Sequence, residues 1–353
     1  MIKKIFALCL LLVMLCVSGC GGIKPEQKVS GEILYSVTDA TGQKLSFYEK
    51  PKRIISMNVS VDEILLDLID SKRIAALTYF ADDPSICSAG EKVKLVKERV
   101  QGSNIEWIVA LQPDLVIIPD YAMAMIKALR AAGIRVYVCT TPDNMQDIFK
   151  FIIDTGKAVG DQEAGEAMVA KLQADLNAIR EKVVDKVPED KRLKVLGLSF
   201  MGPLGMKGTF SDLCYYSATL NALEGIDVPH NGALSEEKML ELNPDMIITP
   251  SWEYSNQGDP EEFRQRILKN PVYASVNAIK NNKVVKVRDN YLVSTSQYTF
   301  KAAPPNIPSR QRKSWRAMLI RKCLLKNNVN WFTEKTFIFR ILMPMKKYVD
   351  AKD

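Results

Sequence analysis

Apolar positions recur along this chain in two rhythms. Short apolar runs at 54–57, 74–77, 115–118, 134–139, 194–198, 246–248 and 284–287, most of them flanked by Gly, Pro, Asn or Asp, read as buried strands. Between them, helical spacing runs through 61–69, 122–132, 145–159, 211–223 and 260–269. Strands alternating with helices predict parallel sheets covered by helices. Residues 33–47 alternate around an Asp39-Ala40-Thr41-Gly42 turn and predict a hairpin. Ser60-Val61-Asp62-Glu63 reads as a capping box for the first helix, and Gly133 as the residue that closes the helix before it. The longest periodic stretch, 162–186, carries Ala164, Ala167, Met168, Leu172, Leu176, Ile179 and Val183 on one stripe and stops before Pro188. At about 1.5 Å per residue it would reach about 37 Å, roughly the width of a small domain.

One stretch occurs twice. Residues 103–120 read SNIEWIVALQPDLVIIPD, and residues 235–250 read SEEKMLELNPDMIITP. A constant offset of 131 places Glu106 on Glu237, Leu111 on Leu242, Pro113-Asp114 on Pro244-Asp245, and Pro119 on Pro250. Each copy predicts a short helix, a Pro-Asp turn, a buried strand and a Pro that ends it. Such an offset is too long for a solenoid period and matches a duplicated lobe. The predicted architecture is α/β: two lobes with parallel-rich sheets, joined by the long helix. Its boundaries are 33–160 for the first lobe, 161–188 for the linking helix and 189–300 for the second lobe.

Length and composition agree, with 353 residues, 47% hydrophobic and 25% charged. The net charge of +7 misleads. Residues 301–353 carry 13 Lys or Arg against 3 Asp or Glu, so the body is mildly acidic and no nucleic-acid surface is expected. That tail begins with a helix-like stretch broken by Pro304-Pro305, lacks a steady period, and reads either as a natural extension or as sequence translated out of frame. At the other end, Lys3-Lys4, an apolar run over 5–17 and Val17-Ser18-Gly19-Cys20 form a lipoprotein signal peptide over 1–19. Cys20 is the expected lipidation site and 20–32 a polar tether, which makes an exported lipoprotein anchored to a membrane at the cell surface or in the periplasm. The apolar run is too short for a membrane span. Of seven cysteines, Cys87, Cys139, Cys214 and Cys323 lie beyond the signal and lipid site, with no Cys-x-x-Cys pair, disulfide framework or zinc pattern.

The reactive inventory points away from catalysis. The single histidine, His230, lies in a Pro-His-Asn-Gly loop, and no nucleophile elbow, Walker loop or dinucleotide fingerprint occurs. No catalytic residue, metal ligand or cofactor is expected. The strand ends instead carry aromatic and soft apolar residues: Met57-Asn58, Tyr79-Phe80, Tyr121 with Met123, Phe200-Met201, and Trp252 with Tyr254. Ligands of open α/β sheets sit outside the carboxyl ends of the strands, so these residues are the expected lining of an inter-lobe cleft for a large ring-bearing ligand. No Arg or Lys falls in the loops assigned to the first lobe's cleft, which favours a neutral or weakly charged ligand; Arg288 in the second lobe offers one cation. Glu106 and Glu237 lie in the first turns of their helices, where a carboxylate favours the helix dipole. Their matching placement also makes a docking pair for basic pockets on a symmetric partner.

Several of these segments together resemble one family. They are Pro51-Lys52-Arg53-Ile54-Ile55-Ser56, Gln101-Gly102-Ser103-Asn104-Ile105-Glu106, Ala110-Leu111-Gln112-Pro113-Asp114-Leu115-Val116-Ile117, Leu234-Ser235-Glu236-Glu237 and Asn243-Pro244-Asp245. The chain is similar in them, over about 33–298, to the class III substrate-binding proteins of ABC importers for iron–siderophore, haem and cobalamin. The resemblance implies two α/β lobes joined by one long helix, with a metal chelate held between them by a monomer. It further implies that Glu106 and Glu237 dock onto arginines of a dimeric permease. Family members usually end in a helix packed on the second lobe, where this chain has Pro304-Pro305. Alternatives from other classes are an exported enzyme or a ligand sensor acting on a tetrapyrrole or corrinoid. A direct zinc or manganese carrier ranks last because of the single histidine.

Overall fold

A computed structural model describes residues 31–300 apart from 101, 103, 201, 205–207, 227–233, 252–257 and 293. The signal segment, Cys20, the tether up to residue 30 and the basic tail from 301 lie outside the described residues.

The predicted hairpin opens the described chain, with β1 (Tyr35–Thr38) antiparallel to β2 (Lys44–Phe47). Its turn is held by Asp39, whose carboxylate accepts the N–H groups of Thr41 and Gln43. The first large sheet comprises β3 (Ile54–Ser56), β4 (Ile74–Thr78), β5 (Glu98–Val100), β6 (Leu115–Pro119) and β7 (Val136–Cys139). Their order is β5-β4-β3-β6-β7 and every pair is parallel. Helices α1 (Val59–Leu68), α2 (Ile105–Ala110), α3 (Met123–Ala131) and α4 (Met145–Ala158) lie between and after these strands in the chain. The apolar runs carry no in-out polarity because both faces are covered. Ile54, Leu115 and Ile117 pack with Ile64, Leu65 and Ile152, whereas Ile55, Val116 and Ile118 pack with Ile108, Ile126 and Leu129.

The linking helix α5 (Gln162–Lys182) leads to a second sheet of β8 (Lys194–Ser199), β9 (Gly202–Leu204), β10 (Leu220–Asn221), β11 (Met246–Pro250) and β12 (Val284–Val287). Its parallel order is β10-β8-β11-β12, with β9 antiparallel on β8. The accompanying helices are α6 (Thr209–Tyr216), α7 (Glu236–Leu242), α8 (Pro260–Lys269) and α9 (Asn277–Lys280). With β5 and β9 set aside, both sheets run in the strand order 2-1-3-4. The two copies of the repeat occupy the same place, α2-β6 and α7-β11.

The repeat also shares its bonds. Asp114 accepts the N–H groups of Lys52 (2.6 Å) and Arg53 (3.0 Å) and returns its own N–H to the Arg53 carbonyl. Asp245 accepts the Lys194 N–H at 3.0 Å and returns its N–H to the Lys194 carbonyl. Gln112 and Asn243, 131 positions apart, both adopt left-handed backbone, with φ of 48° and 40°, just before the prolines that bar further helix.

Several expectations need correction. Asn58 rather than Ser60 caps α1, its side chain accepting the N–H groups of Ser60 and Val61. The Ser60 hydroxyl is engaged instead by Thr295 at 2.8 Å. The long helix stops at Lys182, because Val183 leaves helical geometry and 184–186 form a 3-10 turn. Its buried stripe includes Gly165 and Val169, while Ala164 and Ala167 are exposed. The phase is set by Gly165, whose backbone lies against Gly156 of α4: a Cβ on Gly165 would meet the Ile152 carbonyl oxygen at 3.1 Å and the Ile153 Cα at 3.2 Å. Helix α6 ends at Tyr216 rather than running to 223, since Ala218 is left-handed and Thr219 donates its N–H to the Cys214 carbonyl.

The lobes touch directly as well as through α5. Thr209 donates its N–H to the Asp143 carbonyl, and Asp212 accepts the Met145 N–H at 2.7 Å. Gly208, at φ +86°, lies so close to that carbonyl that a Cβ would sit 1.5 Å from its oxygen. After β12 the chain returns to the first lobe, where Tyr298 is buried in the same cluster as Leu65, Leu172 and Leu176.

Gly165→Leu tests the α4–α5 packing. The neighbouring atoms are backbone and cannot rotate away, so overpacking outweighs the gain in helix propensity. The expected loss is about 1–3 kcal/mol in urea-induced unfolding followed by circular dichroism.

Candidate functional site

Each sheet has a strand from which the chain leaves to both sides. In the first it is β3, flanked by β4 and β6, and in the second β8, flanked by β10 and β11. Loops at the carboxyl ends of such strands are where α/β sheets receive ligands.

In the first lobe these ends gather Met57 and Asn58 after β3, Tyr79 and Phe80 after β4, and Tyr121 after β6. Tyr79 is 49% exposed and Tyr121 75%, with Met123 beside it also open. Exposed tyrosines at matching strand ends present flat apolar rings with a hydrogen-bonding tip. The Tyr79 and Phe80 rings lie 4.0 Å apart, tilted by 32°. Met57 is half-buried against Val116, Ile118 and their neighbours, and the Asn58 side-chain oxygen is committed to capping α1. In the second lobe, Phe200 follows β8 and packs on Phe263 at 4.8 Å, while Arg288 follows β12 and donates from Nε to Asn290. Met201, Trp252 and Tyr254 lie outside the described residues, as does His230. Among the described residues no group of three or more His, Cys, Asp or Glu could hold a metal ion.

The absence of a cation from these first-lobe loops has an exception in space. Arg99 reaches Asp82 through β5, an edge strand that its charged sequence concealed. Its guanidinium grips both Asp82 oxygens at 2.9 and 2.8 Å and also donates to the Val93 and Val96 carbonyls. That charge is therefore already matched.

Two residues of α1 were not revealed as buried by the capping-box reading. Asp62 and Glu63, consecutive in α1, are both buried. Asp62 accepts the N–H and hydroxyl of Thr78, the residue before Tyr79, and so fixes where the β4 loop begins. Glu63 accepts the Ser88 N–H and the hydroxyls of Ser294 and Ser296, which ties the returning chain to the first lobe. Burial pushes Asp62 up from 3.8 to about 7 and raises Glu63 as well, against the opposing pull of these hydrogen bonds. Two consecutive acids amid the apolar residues of α1 were the available signal, but their partners at 78, 88, 294 and 296 are distant in sequence.

Glu106 and Glu237 occupy the second position of α2 and α7, and both are exposed. Their caps correspond too: Asn104 accepts the Trp107 N–H at 2.9 Å and Ser235 the Lys238 N–H at 3.1 Å. Asn104 is the cap of α2, and Ser103 before it lies outside the described residues.

A family model described as periplasmic binding protein matches residues 54–291. The chain is 24% identical over 300 residues to an uncharacterized ABC transporter substrate-binding lipoprotein, YvrC, of Bacillus subtilis (strain 168), covering 81% of this chain and 90% of that one. It is 23% identical over 299 residues to the iron-uptake system-binding protein of the same organism, covering 80% and 90%. Among solved structures it is similar to the periplasmic heme-binding protein RhuT from Roseiflexus sp. RS-1 in apo form, with a TM-score of 0.57, 22% identity, and coverage of 71% and 95%.

The raised acids give stability a pH dependence of known sign. An acid whose folded-state pKa exceeds its unfolded value holds a proton that unfolding releases, so stability falls as pH rises between the two. For Asp62 that window runs from 3.8 to about 7. Asp62→Asn is neutral at every pH, so its stability relative to wild type should improve steadily from about pH 4 to about pH 7 in urea titrations. A gap that does not change with pH would remove Asp62 as the titrating group.

Proposed function

The chain belongs to the periplasmic binding protein family, and from that premise we propose that it is the solute-binding subunit of an ABC importer for a metal chelate. The cargo is an iron–siderophore, haem or cobalamin, held between the lobes and passed to a dimeric permease. The observation that carries this reading is the matched pair Glu106 and Glu237, exposed at equivalent positions of two equivalently built lobes. A partner with two like subunits offers two like basic pockets to such a pair. The open rings of Tyr79 and Tyr121 support a large, ring-bearing cargo, as do relatives named for iron uptake and heme binding.

Cys20, following Ser18-Gly19, would carry a lipid that keeps the subunit at the membrane where its permease resides. No helix among the described residues is long and apolar enough to cross a membrane. Cargo binding requires only modest closure, because direct contacts and α5 already hold the lobes together. Release then falls to the permease, which engages one glutamate on each lobe and draws the lobes apart.

Two experiments test this. Glu106→Ala combined with Glu237→Ala should abolish cellular uptake of the labelled chelate while leaving its affinity for the purified protein unchanged; a fall in affinity would count against docking. Tryptophan quenching by haem, hydroxamate and catecholate ferric siderophores and cobalamin should identify one class. Tyr79→Ala with Tyr121→Ala should weaken that binding about tenfold. If no chelate binds, the importer reading fails.

A further inference from the structure

Each docking helix carries a second exposed feature beside its glutamate. Val109 lies three residues after Glu106, and Leu240 three residues after Glu237; both are 39% exposed. Residues three apart share a helix face, so each lobe shows a carboxylate and an open apolar side chain next to one another. The two positions are again separated by 131.

A single exposed Val or Leu has no special meaning. The recurrence gains weight because α2 and α7 share so little else. Their first six residues read Ile-Glu-Trp-Ile-Val-Ala and Glu-Glu-Lys-Met-Leu-Glu. Ile108 and Met239, both buried, anchor the helices on their lobes. At the remaining positions Ile105 faces Glu236, Trp107 faces Lys238 and Ala110 faces Glu241 in the alignment, with no common chemistry. Outside the buried anchors, only the glutamate and the residue one turn further on are alike in kind.

We propose that Val109 and Leu240 are contact residues of the docking surface. Each sits in an apolar depression beside the basic group that receives the neighbouring glutamate, on a permease built of two like subunits. This rests on the importer function proposed above and adds to it the chemistry of the partner's surface. The repetition argues for that occupant, since a twofold partner repeats any pocket it has, and the adjacent acids require that pocket to be flanked by positive charge. Covering an apolar side chain next to an ion pair also removes water from it, which strengthens the attraction.

The test measures binding of the full chain to the host's permease–ATPase complex in nanodiscs at about 0.1 and 0.5 M salt. Val109→Ser with Leu240→Ser should bind about tenfold more weakly than wild type. Apolar contact is not screened, so this ratio should persist at the higher salt. The loss caused by Glu106→Ala with Glu237→Ala should instead shrink. Val109→Ile with Leu240→Met should bind as wild type does, and the serine pair should keep the wild-type thermal midpoint. If the serine pair binds normally while the alanine pair fails, the apolar contact is wrong and glutamate docking stands. If both pairs bind normally, docking through these helices is wrong altogether. A serine pair with a lowered midpoint assigns Val109 and Leu240 to folding and overturns the proposal.

Discussion

A carboxylate at the start of a strand governs each lobe. Asp114 and Asp245 each follow a left-handed residue and a proline, and each takes up backbone N–H at the entry of the neighbouring strand. Hydrogen bonds from N–H to an ionised carboxylate are stronger than neutral ones and shorter. Here they lock the pairing of Ile54 with Leu115 and of Val195 with Met246. A slip of one residue would move a strand end by about 3.3 Å and displace the loops beyond it. The same turn decides where α2 and α7 stop, hence where their glutamates stand. One bonding pattern, used twice, positions the repeated strands and the helices that carry Glu106 and Glu237.

A second set of contacts limits how the lobes move. Asp289 accepts the Ser251 N–H in the second lobe, while the next residue, Asn290, donates to Ser85, Pro84 and Ser88 in the first. Adjacent residues therefore hold opposite lobes. Beyond them Thr295, Ser296 and Gln297 bond to Ser60, Glu63 and Asp67 along α1. On the α4–α6 side, the Asp143 carbonyl approaches Gly208 too closely for any side chain. Wide opening would have to break the bonds of Asn290 to the first lobe and those between 143–145 and 209–212, so small rotations about these contacts are the motions left available.

Much of this was legible in order along the chain. Strands buried on both faces announce themselves as unbroken apolar runs, and β12 and α8 have the bounds their sequences imply. The repeat disclosed the doubled lobe, and with it Glu106 and Glu237. Edge strands stayed hidden: β5 contains Glu98 and Arg99, and β10 is two residues long. The buried stripe of α5 was misread because a glycine, Gly165, makes the closest approach and counts for nothing in a hydrophobic pattern. Asp62 and Glu63 were read as part of a capping box, and their burial stayed hidden because the hydroxyl and N–H partners that permit it come from remote segments. Local pattern reports which residues can be buried; it does not report which polar groups the fold will bring to meet them.

That difference also explains the electrostatic character of the candidate site. Two buried acids of the first lobe hold segments near its strand ends: Asp62 supports Thr78, and Glu63 holds Ser294 and Ser296. The nearby guanidinium of Arg99 is spent on Asp82 and main-chain carbonyls. The rings and phenols of Tyr79 and Tyr121 face outward, with carboxylates rather than cations beside them at Asp82 and Asp120, while Arg288 belongs to the other lobe. Under the proposed function, a cargo with one charged edge gains nothing by turning that edge toward Tyr79 and Tyr121, where removal from water would go uncompensated. Its apolar face suits the first lobe and its charged edge the second. The two halves of a duplicated fold have thus kept the same frame and the same placement of Glu106 and Glu237.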